Sequence, residues 1–123
     1  MSKGTNVNNR QYTLDEMKAI VDEAHTLGMK VAAHAHGLDG IRMAIDAGVD
    51  SVEHSSLIDQ ETVNLAISNN VFLSMDIYVS DYILGEGAKN GIPEYSLEKE
   101  RIVGKKQREN FKMAVESGAK MVF

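Results

Sequence analysis

Between Thr13 and Gly28 the apolar residues Met17, Ile20, Val21 and Ala24 recur at three- and four-residue intervals, the spacing that lines one face of an α-helix. Thr13 suits the N-cap and Glu16, three residues on, completes a capping box. Gly28 supplies the stop. The pattern then shortens. "MKVAAHAH" is a compact apolar strand ending in two histidines, "LDGIRMAIDAG" a short helix closed by Gly48, and "VDSVEHSS" a second strand. "DQETVNLAISNN" reads as a helix with Asp59 as N-cap and Asn69-Asn70 as its end, and "VFLSMDIYVS" as a third strand. A longer polar connection, "DYILGEGAKNGIPEY", holds the only proline. The helix "SLEKERIVGKKQRENFKMAVESG" then leads into "AKMVF", the start of a fourth strand. Residues 1–11, polar and rich in Asn and Gly, read as loop.

Short strands alternating with longer helices imply an α/β fold built of parallel βα units. Two main architectures accommodate them: an open doubly wound sheet, such as a small flavodoxin-like domain, or about half of a (β/α)8 TIM-type barrel. No strand is followed by a Gly-rich phosphate loop, and "HAHGLDG" does not fit G-x-G-x-x-G, which disfavours the open nucleotide-binding sheet. In 71–78, Val71, Leu73, Met75 and Ile77 alternate with Phe72, Ser74, Asp76 and Tyr78. The first set suits a covering layer of helices; the second turns polar toward its carboxyl end. Ligands in such folds sit at the carboxyl ends of strands, so Asp76 and Tyr78 are expected at the mouth of a site.

Composition narrows the classes. At 123 residues the chain suits one domain. A net charge of −5 argues against nucleic-acid or anionic-membrane partners. The densest basic run, "GKKQR" at 104–108, is diluted by Glu98, Glu100 and Glu109 and reads as the wet side of a helix. The absence of cysteine excludes disulfides, thiolate zinc and a cysteine nucleophile. No apolar run approaches the ~20 residues of a membrane span, and the first residues lack the apolar stretch of a signal peptide. A cytoplasmic location is expected.

The histidines carry the chemistry. His34 and His36 leave one face of a strand with Cα atoms roughly 6.5–7 Å apart, and His54 ends the next strand, about 4.8 Å away if the two are neighbours. Three imidazoles then gather at one rim. Zinc binds neutral imidazole at about 2.0–2.1 Å and brings the pKa of bound water toward ~7. Strand-end histidines can also be plain half-buried hydrogen-bonding groups, but their joint placement favours a site. His25, in the last turn of a helix, reads as structural. Asp76 either orients a histidine or caps an element. Tyr78 either holds substrate or fills a barrel end. Glu53, preceding His54, is expected to face the opposite side, toward the helices. The seven methionines read as core filling.

"KVAAHAHG", "GVDSVEHSSLID", "LSMDIYVSDYILGEGAKNGI" and the final "GAKMVF" resemble the second half of an amidohydrolase-superfamily barrel, over about 12–123. The resemblance is strongest to the imidazolonepropionase-like branch, with its zinc-dependent Xaa-Pro dipeptidases and arginine carboxypeptidases. It implies a (β/α)8 barrel with one or two divalent metals, usually zinc, that hydrolyses a peptide or amide C–N bond by metal-activated water. His34 matches the metal-ligand histidine of the family's fifth strand and His54 that of the sixth. His36 falls where relatives carry a polar residue facing the substrate, and Tyr78 is placed to contact it; these two are the expected catalytic-site residues.

The departures matter equally. The family's first-strand His-x-His, its fourth-strand lysine and the Gly-Thr-Asp of its eighth strand are not in this sequence. The expectation is a partial barrel of about four strands that, taken alone, is inactive. Its inner face and unpaired edges, with Phe72 and Val52 lacking an opposite wall, predict self-association or pairing with the missing barrel half. The rival expectation is a non-catalytic half-barrel holding adventitious metal or none.

Overall fold

The computed structural model describes residues 6–122. Four strands form one parallel sheet: β1 (Ala32–Ala35), β2 (Ser51–His54), β3 (Phe72–Ser74) and β4 (Met121–Val122), in the spatial order β1-β2-β3-β4. Each strand therefore lies beside its successor. A doubly wound sheet reverses its strand order at a switch point; this one does not, and the flavodoxin-like alternative is removed. Sequential parallel order is that of a barrel wall. Of the expected N-terminal loop, 6–11 carry only turns and coil, and the first five residues lie outside the described ones.

The helices begin where the capping residues require. α1 (Leu14–Thr26) has its full capping box: the Glu16 N–H donates to Thr13 Oγ1 at 3.3 Å and the Thr13 N–H to Glu16 Oε2 at 2.8 Å. α2 (Leu38–Ala47) is closed by Gly48 at φ 90°, a left-handed position open to glycine. α3 (Gln60–Ser68) starts at Asp59, whose carboxylate accepts the Thr62 N–H at 2.8 Å. The core lies between sheet and helices: Val52 and Leu73 from the strands meet Ile41, Ile45, Val63 and Ala66 from α2 and α3. No described helix is long and apolar enough to cross a membrane.

Two expectations fail here. The third strand ends at Ser74, and the alternating run "IYVS" at 77–80 is not strand but the start of α4 (Ile77–Glu86). Tertiary packing overrides β propensity. α4 lies against α5 (Glu94–Glu116), burying Ser80, whose hydroxyl donates to the buried Glu100 carboxylate at 2.5 Å. Gly104 permits this approach, since a Cβ there lies only 3.0 Å from Ser80 Oγ. Second, Val52 lacks nothing: it faces the helices and is 0% exposed. Its expected companion Phe72 stands on the other side of the sheet, 38% exposed, as Val122 is at 42%.

Candidate metal-binding rim

The register places His34 beside Glu53 and Ala35 beside His54. Paired residues in a parallel ladder share a face, so His54 in regular strand geometry points with Ala35 toward the helices. At this last residue of β2 the backbone leaves that geometry. φ is 73° at His54 and 46° at Ser55, left-handed values that break the pleat and swing the ring to the side of His34. Glu53 correspondingly shares the His34 side and accepts from Ser51 Oγ at 2.8 Å. The expectation that Glu53 faces the helices is wrong, because the alternation was counted from His54, the one residue that departs from it.

The three imidazoles meet. His34 Nδ1 lies 3.0 Å from His54 Nε2, with ring centroids 5.0 Å apart. His36 stacks on His54 at 4.3 Å, the planes within 9° of parallel. The far nitrogen of His54, Nδ1, lies 2.9 Å from Asp76 Oδ2. Asp76 stands at the N-terminus of α4 without making a side-chain cap bond, so of its two expected roles the histidine-orienting one is realised. A proton on His54 Nδ1 leaves Nε2 with its lone pair toward the rim. His36 Nδ1 is 2.9 Å from Ser56 Oγ. Burial, followed by the neighbouring His54 and His34 against the opposing pull of Asp76, lowers the His36 pKa to about 4; the ring is neutral at neutral pH.

Two nitrogen ligands on a tetrahedral zinc at ~2.05 Å stand roughly 3.3 Å apart. The 3.0 Å separation of His34 Nδ1 and His54 Nε2 is within a few tenths of that bite, so these donors fit a pair of zinc ligands, given the His34 tautomer with its proton on Nε2. They fit part of a centre only. Among the described residues no group of three or more His, Asp or Glu is arranged to hold a metal, whereas a catalytic zinc typically has three protein ligands.

A cleft of about 500 Å³ opens beside the rim, lined by His34, His36, Asn8, Arg10 and Tyr12 among others. The segment before α1 closes tightly on Gly37, where a Cβ meets the Val7 carbonyl oxygen at 2.6 Å. Tyr78 is not on a strand end. It lies in the first turn of α4 and is 77% exposed. His25 is apart from the rim, paired with Asp50 at 2.8 Å. The sequence reading missed Gln107 and Asn110, which donate to the carbonyls of His54 and Ser56 at 3.1 and 2.9 Å. Their signal was present: both interrupt the buried stripe Val103, Gln107, Asn110, Ala114 along α5. Lys105, Lys106 and Arg108 of the same run are exposed, as expected.

Parallel βα units in sequential order define a wall of a (β/α)8 barrel, with three imidazoles converging at its carboxyl rim. The Amidohydrolase family profile matches residues 3–123, and the chain belongs to this family of hydrolytic enzymes. Ochratoxinase of Aspergillus niger is 45% identical over 65 residues, 53% of this chain and 14% of that sequence. Its crystal structure superposes with a TM-score of 0.86 at 31% identity, covering 99% of this chain and 27% of its own. A prolidase complexed with N-methylphosphonate-L-proline gives a TM-score of 0.90 at 34% identity, over 96% of this chain and 29% of that one. A Xaa-Pro dipeptidase with bound methionine in its active site gives 0.82 at 37% identity, over 94% and 29%. The chain thus spans less than a third of these relatives, and corresponds to about half of their barrel wall.

Proposed function

We propose that this chain contributes to the catalytic barrel of a metal-dependent amidohydrolase that cleaves a peptide or amide C–N bond, with zinc held in part by His34 and His54. The observation that carries the reading is the 3.0 Å approach of His34 Nδ1 to His54 Nε2 at the carboxyl rim. Likeness to a prolidase and a Xaa-Pro dipeptidase supports a small peptide or amide as substrate. Bound zinc supplies Lewis acidity and hydroxide near neutral pH.

The chain's own residues do the rest. Asp76 fixes the ring and tautomer of His54. Neutral His36, tethered by Ser56 and lining the cleft, offers hydrogen bonding to substrate without adding charge beside the ligand pair. Tyr78 on α4 presents its phenol to a substrate entering from solvent. With two imidazole ligands among the described residues and without the Gly-Thr-Asp aspartate that the family resemblance implies, the 123-residue chain assayed alone is expected to show negligible turnover.

Equilibrium dialysis against zinc tests the site. The wild-type chain is expected to retain zinc, and His34→Ala and His54→Ala each to lose it. Zinc retention untouched by either substitution overturns the assignment. Retention of none favours a non-catalytic half-barrel, a reading supported by the lack of a third described ligand.

A further inference from the structure

His54 reaches His34 only because residues 54 and 55 leave β2 in the left-handed conformation, at φ 73° and 46°. Glycine adopts that region freely; histidine and serine do not. The sequence here is His54-Ser55-Ser56, without a glycine; local bonds span the turn, Ser55 N–H to Glu53 O at 3.0 Å and Ser55 Oγ to Val52 O at 3.3 Å, and the surroundings add the rest of the hold. The ladder to β3 ends at the pair Glu53–Ser74. Beyond it the carbonyls of His54 and Ser56 find their donors in α5, which follows in the chain by more than fifty residues: Gln107 Nε2 to His54 O at 3.1 Å and Asn110 Nδ2 to Ser56 O at 2.9 Å. Both side chains are 4% exposed. From the other flank the end of β1 and the residue after it accept the N–H groups, Ser55 to Ala35 O at 3.0 Å and Leu57 to His36 O at 2.9 Å. The turn is gripped on both sides.

We infer that Gln107 and Asn110 form a clamp that positions the His54 imidazole at the rim, a role that rests on the reading of His54 as a metal ligand. They are positioning residues and touch no reacting atom. Packing alone does not explain them: an apolar side chain fills a buried helix stripe without the desolvation cost of an amide. Each amide instead binds a carbonyl flanking the left-handed Ser55. The Asn110 arm extends further, because Ser56, whose backbone it holds, also carries the hydroxyl bound to His36.

The test uses the 123-residue chain with isotope-labelled histidines. Nuclear Overhauser contacts between the stacked His54 and His36 rings report the turn directly, without metal. The double substitution Gln107→Met with Asn110→Leu is expected to abolish these contacts. Adding Ser55→Gly, which makes the left-handed position intrinsically favourable, is expected to restore them. If the double variant does not fold, Gln107→Met alone, with and without Ser55→Gly, gives the same comparison. Ring contacts that persist in the folded clamp variant overturn the inference. So does a loss that Ser55→Gly fails to repair, since a mere packing role is indifferent to residue 55. Zinc affinity, read by chelator competition, is expected to fall about 10–100-fold in the clamp variant and to recover with Ser55→Gly. A wild-type chain that shows the ring contacts yet takes up no zinc sinks the metal reading, while the clamp is still decided by the ring contacts.

Discussion

Asp76 Oδ2 lies 2.9 Å from His54 Nδ1, on the side of the ring opposite the nitrogen that faces His34. Carboxylate, imidazole and rim thus stand in line, the arrangement by which an outer carboxylate fixes a ligand's tautomer and basicity. Asp76→Ala is expected to weaken zinc binding by about 10–100-fold. Its cost to the fold is small, because Asp76 makes no cap bond to α4. Competition with a chromogenic chelator, alongside thermal melting, checks both halves; unchanged affinity refutes the role.

Asp50 ties α1 to the sheet. It accepts from Lys30 Nζ and His25 Nε2 at 2.8 Å each and from the Val31 N–H at 2.9 Å. Lys30 first, then His25 and the Val31 amide, hold its carboxyl well below the usual range, against an opposing push from burial. A depressed folded pKa means stability that is present above the unfolded pKa of ~3.9 and lost as pH falls through the folded value. Asp50→Asn is expected to cost on the order of 1 kcal/mol at pH 7, after allowance for solvent screening. Urea midpoints of the two proteins should converge as the medium is acidified below the unfolded pKa. A gap independent of pH contradicts the assignment.

Leu73 and Phe72 are chain neighbours on opposite faces of β3, 0% and 38% exposed. Leu73→Ala empties a packed site under the helices and is expected to cost about 2–5 kcal/mol. Phe72→Ala is expected to cost clearly less. Chemical denaturation of the two variants measures the difference, and equal losses would show that both faces are packed in solution.

The second face also bears on assembly. Phe72 and Val122 are exposed there, and β1 and β4 are sheet edges. Open edges beside apolar surface favour pairing with another chain. Light scattering on a size-exclusion column is expected to show a species larger than a monomer, shifted toward monomer by Phe72→Lys with Val122→Lys. A monomeric wild-type chain at micromolar concentration ends this expectation.

The sheet and its helices were legible in the sequence because they rest on local rules; the meeting of His34 with His54 was expected from their places at neighbouring strand ends, but it is reached through a left-handed turn that alternation does not foresee. Caps at Thr13 and Asp59 and stops at Gly28 and Gly48 mark where elements turn, and strand ends mark the rim. What was illegible depends on residues distant in the chain. "IYVS" at 77–80 has strand composition, and only the packing of Ser80 on Glu100 and Gly104 of α5 makes it helix. Tyr78 moved with it. Val52 and Glu53 were given the wrong faces because alternation is a rule for regular strands, and the left-handed backbone that turns His54 is held by α5. The neighbouring "GKKQREN" showed its solvated lysines plainly; the buried Gln107 and Asn110 within it could be understood only from what they hold.

α4 stands between the last residue of β3 and the crossover helix α5, beyond the ladder itself. Its contacts run chiefly to α5, and Tyr78, Val79, Tyr82 and Leu84 project from it to solvent. The rim's three imidazoles come from β1, the residue after it and the end of β2, and only Asp76, at the threshold of α4, reaches them. Substitutions on its solvent side are therefore free to vary without moving the histidine cluster, provided Asp76 and the seat of Ser80 on Glu100 are kept.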